Sequence, residues 1–280
     1  MNGRRPDGYH DIQSVFVPVD LCDRIDVTLR PDGRIVREGD LTGPEGADLA
    51  VRAALALQAH AATLPGSAAL HGASLHVTKR IPVGAGLGGG SSDAATTLIA
   101  LNRLWRLGLD RSTLAALGRR LGADVPFFLG QGPAFVEGFG EQCTHLVLDP
   151  AWFVVVFPQV PVSTAEIFSD PKLTRNTKKT TIAGFSAALL AANPLAGGPL
   201  FGANDLEAPV RARFAPVDRA LRMLGDYAPA RMSGSGSAVF CVTSGAQAAG
   251  RIVELLRVQM PEGWQAWAVP GLPELPLADW

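Results

Sequence analysis

Pro82-Val83-Gly84-Ala85-Gly86-Leu87-Gly88-Gly89-Gly90-Ser91-Ser92-Asp93 places five glycines within the seven residues from Gly84 to Gly90. Glycine reaches positive φ without steric cost and lets backbone N–H groups come close to a ligand. The residues on either side frame the segment. Upstream, Leu75, Val77 and Ile81 alternate as in a strand; downstream, Ala94, Ala95, Leu98, Leu101 and Trp105 recur at helical spacing between about Ser92 and Leu107. Ser91, Ser92 and Asp93 are the expected N-terminal caps of that helix. A strand, a glycine turn and a helix N-terminus in this order form a cradle for an anion, with phosphate the natural guest.

Two familiar phosphate loops fit less well. Gly84-x-Gly86-x-x-Gly89 matches the dinucleotide fingerprint formally, and Asp110 follows at about the twenty-residue distance that motif needs. Asp110, however, sits in the turn Gly108-Leu109-Asp110-Arg111 after the helix, not at the end of a second strand. The nucleoside triphosphatase loop needs Gly-Lys-Ser/Thr at its close, which is absent.

Working outward, 280 residues suit two domains of ordinary size, and the apolar pattern restarts after Asp149, so domains of 1–149 and 150–280 are expected. Strands are expected at Ile12 to Val19 and Arg24 to Leu29, and at Trp152 to Phe157 between Pro150 and Pro158. Helices are expected at Asp48 to Ala62, Thr113 to Leu121, Val217 to Tyr227 and Gln247 to Met260, giving an α+β chain. Hydrophobic residues at 47% against 18% charged exclude intrinsic disorder. A net charge of -1 argues against nucleic acid or an anionic membrane as partner. Cys22, Cys143 and Cys241 are odd in number and far apart, suggesting neither disulfides nor structural zinc, and with no apolar leader the expected location is the cytoplasm.

The pattern Pro-x-x-x-Gly-Leu-Gly-x-Gly/Ser-Ser, met from Pro82 to Ser91, resembles the second motif of the GHMP kinases, the superfamily of galactokinase, homoserine kinase and mevalonate kinase. Gly3-Arg4-Arg5-Pro6-Asp7-Gly8-Tyr9-His10, Gly122-Ala123-Asp124-Val125-Pro126-Phe127, Asn204-Asp205-Leu206-Glu207 and Met232-Ser233-Gly234-Ser235-Gly236-Ser237-Ala238 extend the likeness along the whole chain. Within the superfamily they are similar to the enzymes of the non-mevalonate isoprenoid route that phosphorylate the 2-hydroxyl of a cytidine diphosphate-linked methylerythritol. That resemblance implies a two-domain GHMP fold, with an N-terminal domain like domain 2 of ribosomal protein S5 and a C-terminal α/β sandwich. It also implies ATP with Mg²⁺, a small-molecule acceptor carrying cytidine diphosphate, and a monomer or weak homodimer. Another GHMP small-molecule kinase, or a nucleotide-binding relative without catalysis, is the alternative.

Carried over position by position, the resemblance makes Asp124 the base or charge-orienting carboxylate. It puts Lys79, Pro82, Gly84, Gly86, Gly88, Gly89, Gly90, Ser91 and Ser92 at the ATP site, and closes that site with Ser233, Gly234, Ser235 and Gly236. Ser92 is also the candidate metal contact. Tyr9, His10, Thr164 and Phe168 fall at the cytidine end. On the residues alone Asp124 could equally be a loop or cap aspartate, Phe168 a core residue and Lys79 a solvated strand-end lysine. Asp48 stands where the family has an asparagine on the adenine side. The family's opening strand, with a Lys-x-Asn-Leu segment whose lysine sits opposite the catalytic aspartate, has no counterpart before Gly3. The expectation is therefore an internal start at Met1, with that lysine supplied from upstream, and a 280-residue chain that binds nucleotide better than it turns over.

Overall fold

The structure, a computed structural model, describes residues 1–6, 8, 10–40, 44–64, 71–196 and 198–280. Contacts sort it into two units: Met1–Asp20 with Gly84–Leu87 and Val147–Pro273, and Leu21–Val83 with Gly88–Leu146 and Glu274–Trp280. This division differs from a single cut after residue 149. The first segment is fastened to the C-terminal half by backbone bonds such as Asp20 N to Pro270 O (3.0 Å), which no local composition change reports.

In the first unit the chain opens with β1 (Gly3–Arg4) and β2 (His10–Asp11), an antiparallel pair in register Gly3↔Asp11, then β3 (Ser14–Phe16). The strand expected from Ile12 to Val19 is shorter because Pro18 has no N–H to give a ladder; Val19 pairs only through an isolated bridge to Gly271.

The second unit follows. It contains β4 (Arg24–Arg30), β5 (Ile35–Gly39), α1 (Leu49–Ala61), β6 (Gly72–Thr78), α2 (Gly89–Leu104), α3 (Arg111–Leu121), α4 (Val125–Phe128), β7 (Ala134–Glu137) and β8 (Gln142–His145). β6 lies between β4, which it meets antiparallel, and β5, which it meets parallel across the α1 crossover. α1 buries Ala50, Ala53, Ala54, Leu57 and Ala61, a stripe at helical spacing whose small residues let it pack closely on α2, which buries Ala94, Ala95, Leu98 and Leu101. The inward side of β6 is Ala73, Leu75 and Val77, as its alternation requires. Leu29, which continues the Ile25 and Val27 alternation, is 49% exposed near the end of β4. Asp110 is the N-cap of α3, accepting from Thr113 N, which accounts for it without a dinucleotide.

The first unit resumes with β9 (Trp152–Phe157), α5 (Thr164–Phe168), α6 (Ile182–Ala192), α7 (Glu207–Arg213), α8 (Ala215–Gly225), β10 (Ala230–Met232), β11 (Val239–Thr243), α9 (Ala246–Gln259) and β12 (Gln265–Pro270). Its sheet runs β10-β11-β9-β12, antiparallel throughout. β9 reads as an unbroken apolar run because both of its faces are covered. Val154 and Val156 join Val239 and Cys241 against Val217, Leu221 and Leu224 of α8 and Val253 and Leu256 of α9, while Phe153 on the other face meets the ring of Phe240. No helix among the described residues is long and apolar enough to cross a membrane.

Candidate active site

The glycine segment is divided between the units at Leu87 and Gly88. On the second-unit side, helix α2 starts at Gly89 with Gly88 as its N-cap residue in the left-handed region (φ 71°, ψ 13°) and no side chain capping the first turn. Ser91, Ser92 and Asp93 are therefore inside the helix, and the expectation of them as caps is corrected. A glycine without a Cβ can enter the helix directly, and at Gly88 a Cβ would also fall 2.9 Å from Phe128 Cζ. Among the described residues, the first-turn N–H groups of α2 thus have neither an intrahelical acceptor nor a side-chain cap, which is the condition for binding an anion at a helix N-terminus.

Asp124 lies beside that turn. The ring of Phe128 abuts Gly88, and Ser91 Oγ is 3.8 Å from where a Cβ on Gly122 would stand. Asp124 holds the N-cap position of α4 yet makes no capping bond, so its carboxylate is not consumed by the helix. Burial raises its pKa above the ordinary carboxylate value. The turn at Gly140 closes over it: a Cβ there would meet Asp124 Oδ1 at 3.4 Å. The nearby Cys143 thiol is pushed up to about 11 by burial, with Asp124 and Glu141 adding to the effect, so it is protonated at neutral pH and no nucleophile.

Where β6 gives way to the glycine segment, three charged side chains meet. Lys79 Nζ donates to Asp93 Oδ2 at 2.7 Å and to Asp23 Oδ2. Asp23 Oδ1 accepts the backbone N–H groups of Arg80 (2.6 Å) and Ile81 (2.9 Å), which fixes the entry to the loop. Burial acts to lower the Lys79 pKa, but Asp93 and Asp23 outweigh it and the net shift is upward. Asp93 is raised to about 6, mainly by burial, against the pull of Lys79. Lys79 is thus engaged by two carboxylates, a partnership invisible in the sequence because Asp23 lies 56 positions away.

Asp48 is similarly engaged. Its Oδ1 caps α1 through Ala50 N (2.8 Å) and Val51 N (3.3 Å), and Oδ2 takes Arg37 Nε at 3.0 Å. The Arg37 side chain is only 1% exposed, so its charge calls for a carboxylate here, where an asparagine would leave it unneutralised.

In the first unit, the Gly84–Leu87 portion is laced to the serine-glycine turn. Ala238 N donates to Ala85 O (2.9 Å) and Ser233 Oγ to Gly86 O (2.9 Å). Asn204 Nδ2 holds the turn from behind through Met232 O (2.9 Å) and Gly234 O (2.8 Å), and Glu207 Oε2 accepts Met232 N at 2.9 Å. These contacts give the Asn204-Asp205-Leu206-Glu207 run a bracing role that its sequence did not reveal. Gly86 (φ 71°) faces the Ser233 carbonyl, and a Cβ on it would meet Gly236 N and O at 2.8 Å. Gly86→Ala is expected to add about 1–3 kcal/mol of local strain and, where this loop holds ATP as the family resemblance implies, to weaken ATP binding by roughly tenfold or more. Titration calorimetry with ATP checks it, and unchanged affinity would remove this loop from the nucleotide site.

The same unit assembles most of the expected cytidine-end residues. Thr164 Oγ1 lies 2.7 Å from Ser235 Oγ, linking α5 to the serine-glycine turn. His10 is buried, its ring 5.2 Å from that of Phe168 and tilted by 44°. Phe168 also packs, partly buried, against the core, as its core reading expects. Tyr9 lies outside the described residues. Sequence reasoning missed Arg175, whose Nε donates to His10 Nε2 at 3.2 Å; it stands in a polar, aperiodic stretch that reads as an exposed loop.

Residues 48–132 match the family model of the GHMP kinases N terminal domain, and residues 187–260 that of the GHMP kinases C terminal. A 4-diphosphocytidyl-2-C-methyl-D-erythritol kinase of Burkholderia ambifaria (strain MC40-6) is 49% identical over 99% of this chain and 91% of its own length. The chain belongs to the GHMP kinases. A second relative of the same name, from Burkholderia lata, is 47% identical over the same shares. Among solved structures, a 4-(cytidine 5'-diphospho)-2C-methyl-D-erythritol kinase superposes with a TM-score of 0.75 at 36% identity, covering 96% of this chain and 93% of the other. The mevalonate kinase of Methanococcus jannaschii shares the fold at a TM-score of 0.65 and 14% identity, covering 95% and 92%. This GHMP kinase is a small-molecule kinase of the 4-diphosphocytidyl-2-C-methyl-D-erythritol kinase branch, with ATP as its co-substrate.

Proposed function

We propose that this kinase transfers the γ-phosphoryl group of ATP to the 2-hydroxyl of 4-diphosphocytidyl-2-C-methyl-D-erythritol. The observation that carries the acceptor's identity is 49% identity across 99% of the chain to a relative of that name. In this reading the uncapped first turn of α2, with Pro82, Gly84, Gly86, Gly88, Gly89, Gly90 and Ser91, cradles the phosphates through backbone N–H groups. Ser233, Gly234, Ser235 and Gly236 contribute further donors, and Lys79 anchors the loop's entry. His10, Thr164, Phe168 and Tyr9 take the cytidine end. Asp124, with a raised pKa and no capping duty, orients the acceptor hydroxyl and receives its proton.

Among the described residues no group of three or more His, Cys, Asp or Glu is placed to hold a metal ion. Mg²⁺ is proposed to arrive with ATP, held mainly by the nucleotide phosphates, which needs few protein ligands. Ser92, in the first turns of α2, is the hydroxyl proposed to reach it. When bound, Mg²⁺ neutralises charge on the transferring phosphoryl group.

The test is phosphoryl transfer by the full natural gene product with ATP, Mg²⁺ and the cytidine diphosphate acceptor. One ADP per phosphorylated acceptor is expected, with no transfer to homoserine, mevalonate or galactose. Transfer to one of these instead, or ATP binding without transfer to any acceptor, overturns the reading.

A further inference from the structure

Arg175 sits between α5 and α6 and makes four hydrogen bonds. Its Nη1 donates to Leu173 O (3.1 Å), its Nη2 to Phe168 O (3.0 Å) and Asp170 O (2.9 Å), and its Nε to His10 Nε2 (3.2 Å). The three carbonyls belong to the turn that ends α5, so Phe168 and the turn behind it are pinned by one side chain. The fourth bond ties β2 to the same group. Arg175 therefore ties His10 to the turn that carries Phe168, two rings that lie 5.2 Å apart.

The chemistry of the fourth bond is one-directional. A guanidinium has only N–H donors and keeps its charge at any pH of interest. His10 Nε2 must then be the acceptor, and a neutral imidazole accepting at Nε2 carries its hydrogen on Nδ1. We infer that Arg175 is a positioning residue for the base of the acceptor substrate: it orients the His10 ring and holds it as the Nδ1–H tautomer, making that nitrogen a donor. Cytosine offers acceptors at O2 and N3 on its pairing edge, whereas uracil has a donor at N3. A donor at His10 therefore favours cytidine over uridine. This inference rests on the acceptor proposed above.

The experiment uses Arg175→Met, which keeps an unbranched stem without donors, and Arg175→Lys. The readouts are KM for the cytidine diphosphate acceptor, KM for ATP, and the ratio of kcat/KM for the cytidine acceptor to that for its uridine analogue. Arg175→Met is expected to raise the acceptor KM roughly 10- to 100-fold, to leave the ATP KM unchanged and to cut the cytidine preference roughly tenfold. Arg175→Lys is expected to recover part of the acceptor KM. A variant with a lower melting temperature but unchanged selectivity and acceptor KM would show a purely structural arginine and overturn the inference. A second measurement does not depend on how the Arg175 variants fold: ¹⁵N-histidine spectra of the wild-type protein, with the His10 signals identified by their loss in a folded His10→Gln variant that keeps the other histidine signals in place. An Nδ1–H pattern supports the inference and an Nε2–H pattern overturns it. A wild-type protein inactive on the cytidine acceptor would sink the functional reading instead, and the tautomer would still decide the Arg175–His10 relation.

Discussion

Asp124→Asn is expected to lower kcat by about 10²- to 10⁴-fold while leaving the ATP dissociation constant close to unchanged. The substitution preserves shape and removes charge and proton affinity. Asp124 is suited to show this separation because its carboxylate makes no capping bond to α4, so the helix loses nothing when the charge goes. Burial holds its pKa above the ordinary carboxylate value. A base works only when ionised, so turnover is lost as pH falls through that raised pKa, at a higher pH than an ordinary carboxylate would give. The acid limb of the kcat profile should flatten in the asparagine variant, whose residual activity has no such group to titrate. Calorimetry with ATP and kcat against pH together check the assignment; an equal loss of turnover and ATP affinity would make Asp124 a structural residue.

Lys79→Met is expected to cost about 3–5 kcal/mol of stability, the range for breaking a buried pair by removing one partner. The Lys79, Asp23 and Asp93 side chains are 14%, 2% and 11% exposed, so without the ammonium two carboxylates face each other with little water to screen them. The linkage has a definite sign. The folded-state pKa of Asp93, about 6, lies above its ordinary 3.8, so folding favours the protonated form. That contribution is present below about pH 4 and is lost as pH rises through about 6. Lys79→Met should therefore be relatively less unstable in mild acid, and adding Asp93→Asn should recover much of the loss at neutral pH. Denaturant unfolding at several pH values checks this. A single variant as stable as the wild type would mean that the three groups are solvated in solution.

Local patterns decided much of this protein. The glycine run announced itself because glycine alone permits the left-handed entry at Gly88 and the close approach at Gly86. The α1 stripe and the apolar β9 run were equally plain, since periodicity and burial are properties of consecutive residues. Asp124 was legible as a position through its Gly-x-Asp-Val-Pro context, but its freedom from capping was not. The cap assignment at Ser91, Ser92 and Asp93 failed because cap residues are read from side-chain preference, while this helix begins through a backbone conformation that glycine supplies.

By itself, then, the sequence determined the longer elements, their order, the glycine-framed strand-to-helix entry at Gly84–Gly90 and the family. Only the tertiary structure decided which charges meet. Asp23 and Asp93 converge on Lys79, Asp48 answers Arg37, and Arg175 reaches His10 across 165 positions. The physical reason is that periodicity and turn chemistry act between neighbours in the chain, whereas ion pairs and side-chain hydrogen bonds act between neighbours in space and leave no trace in spacing.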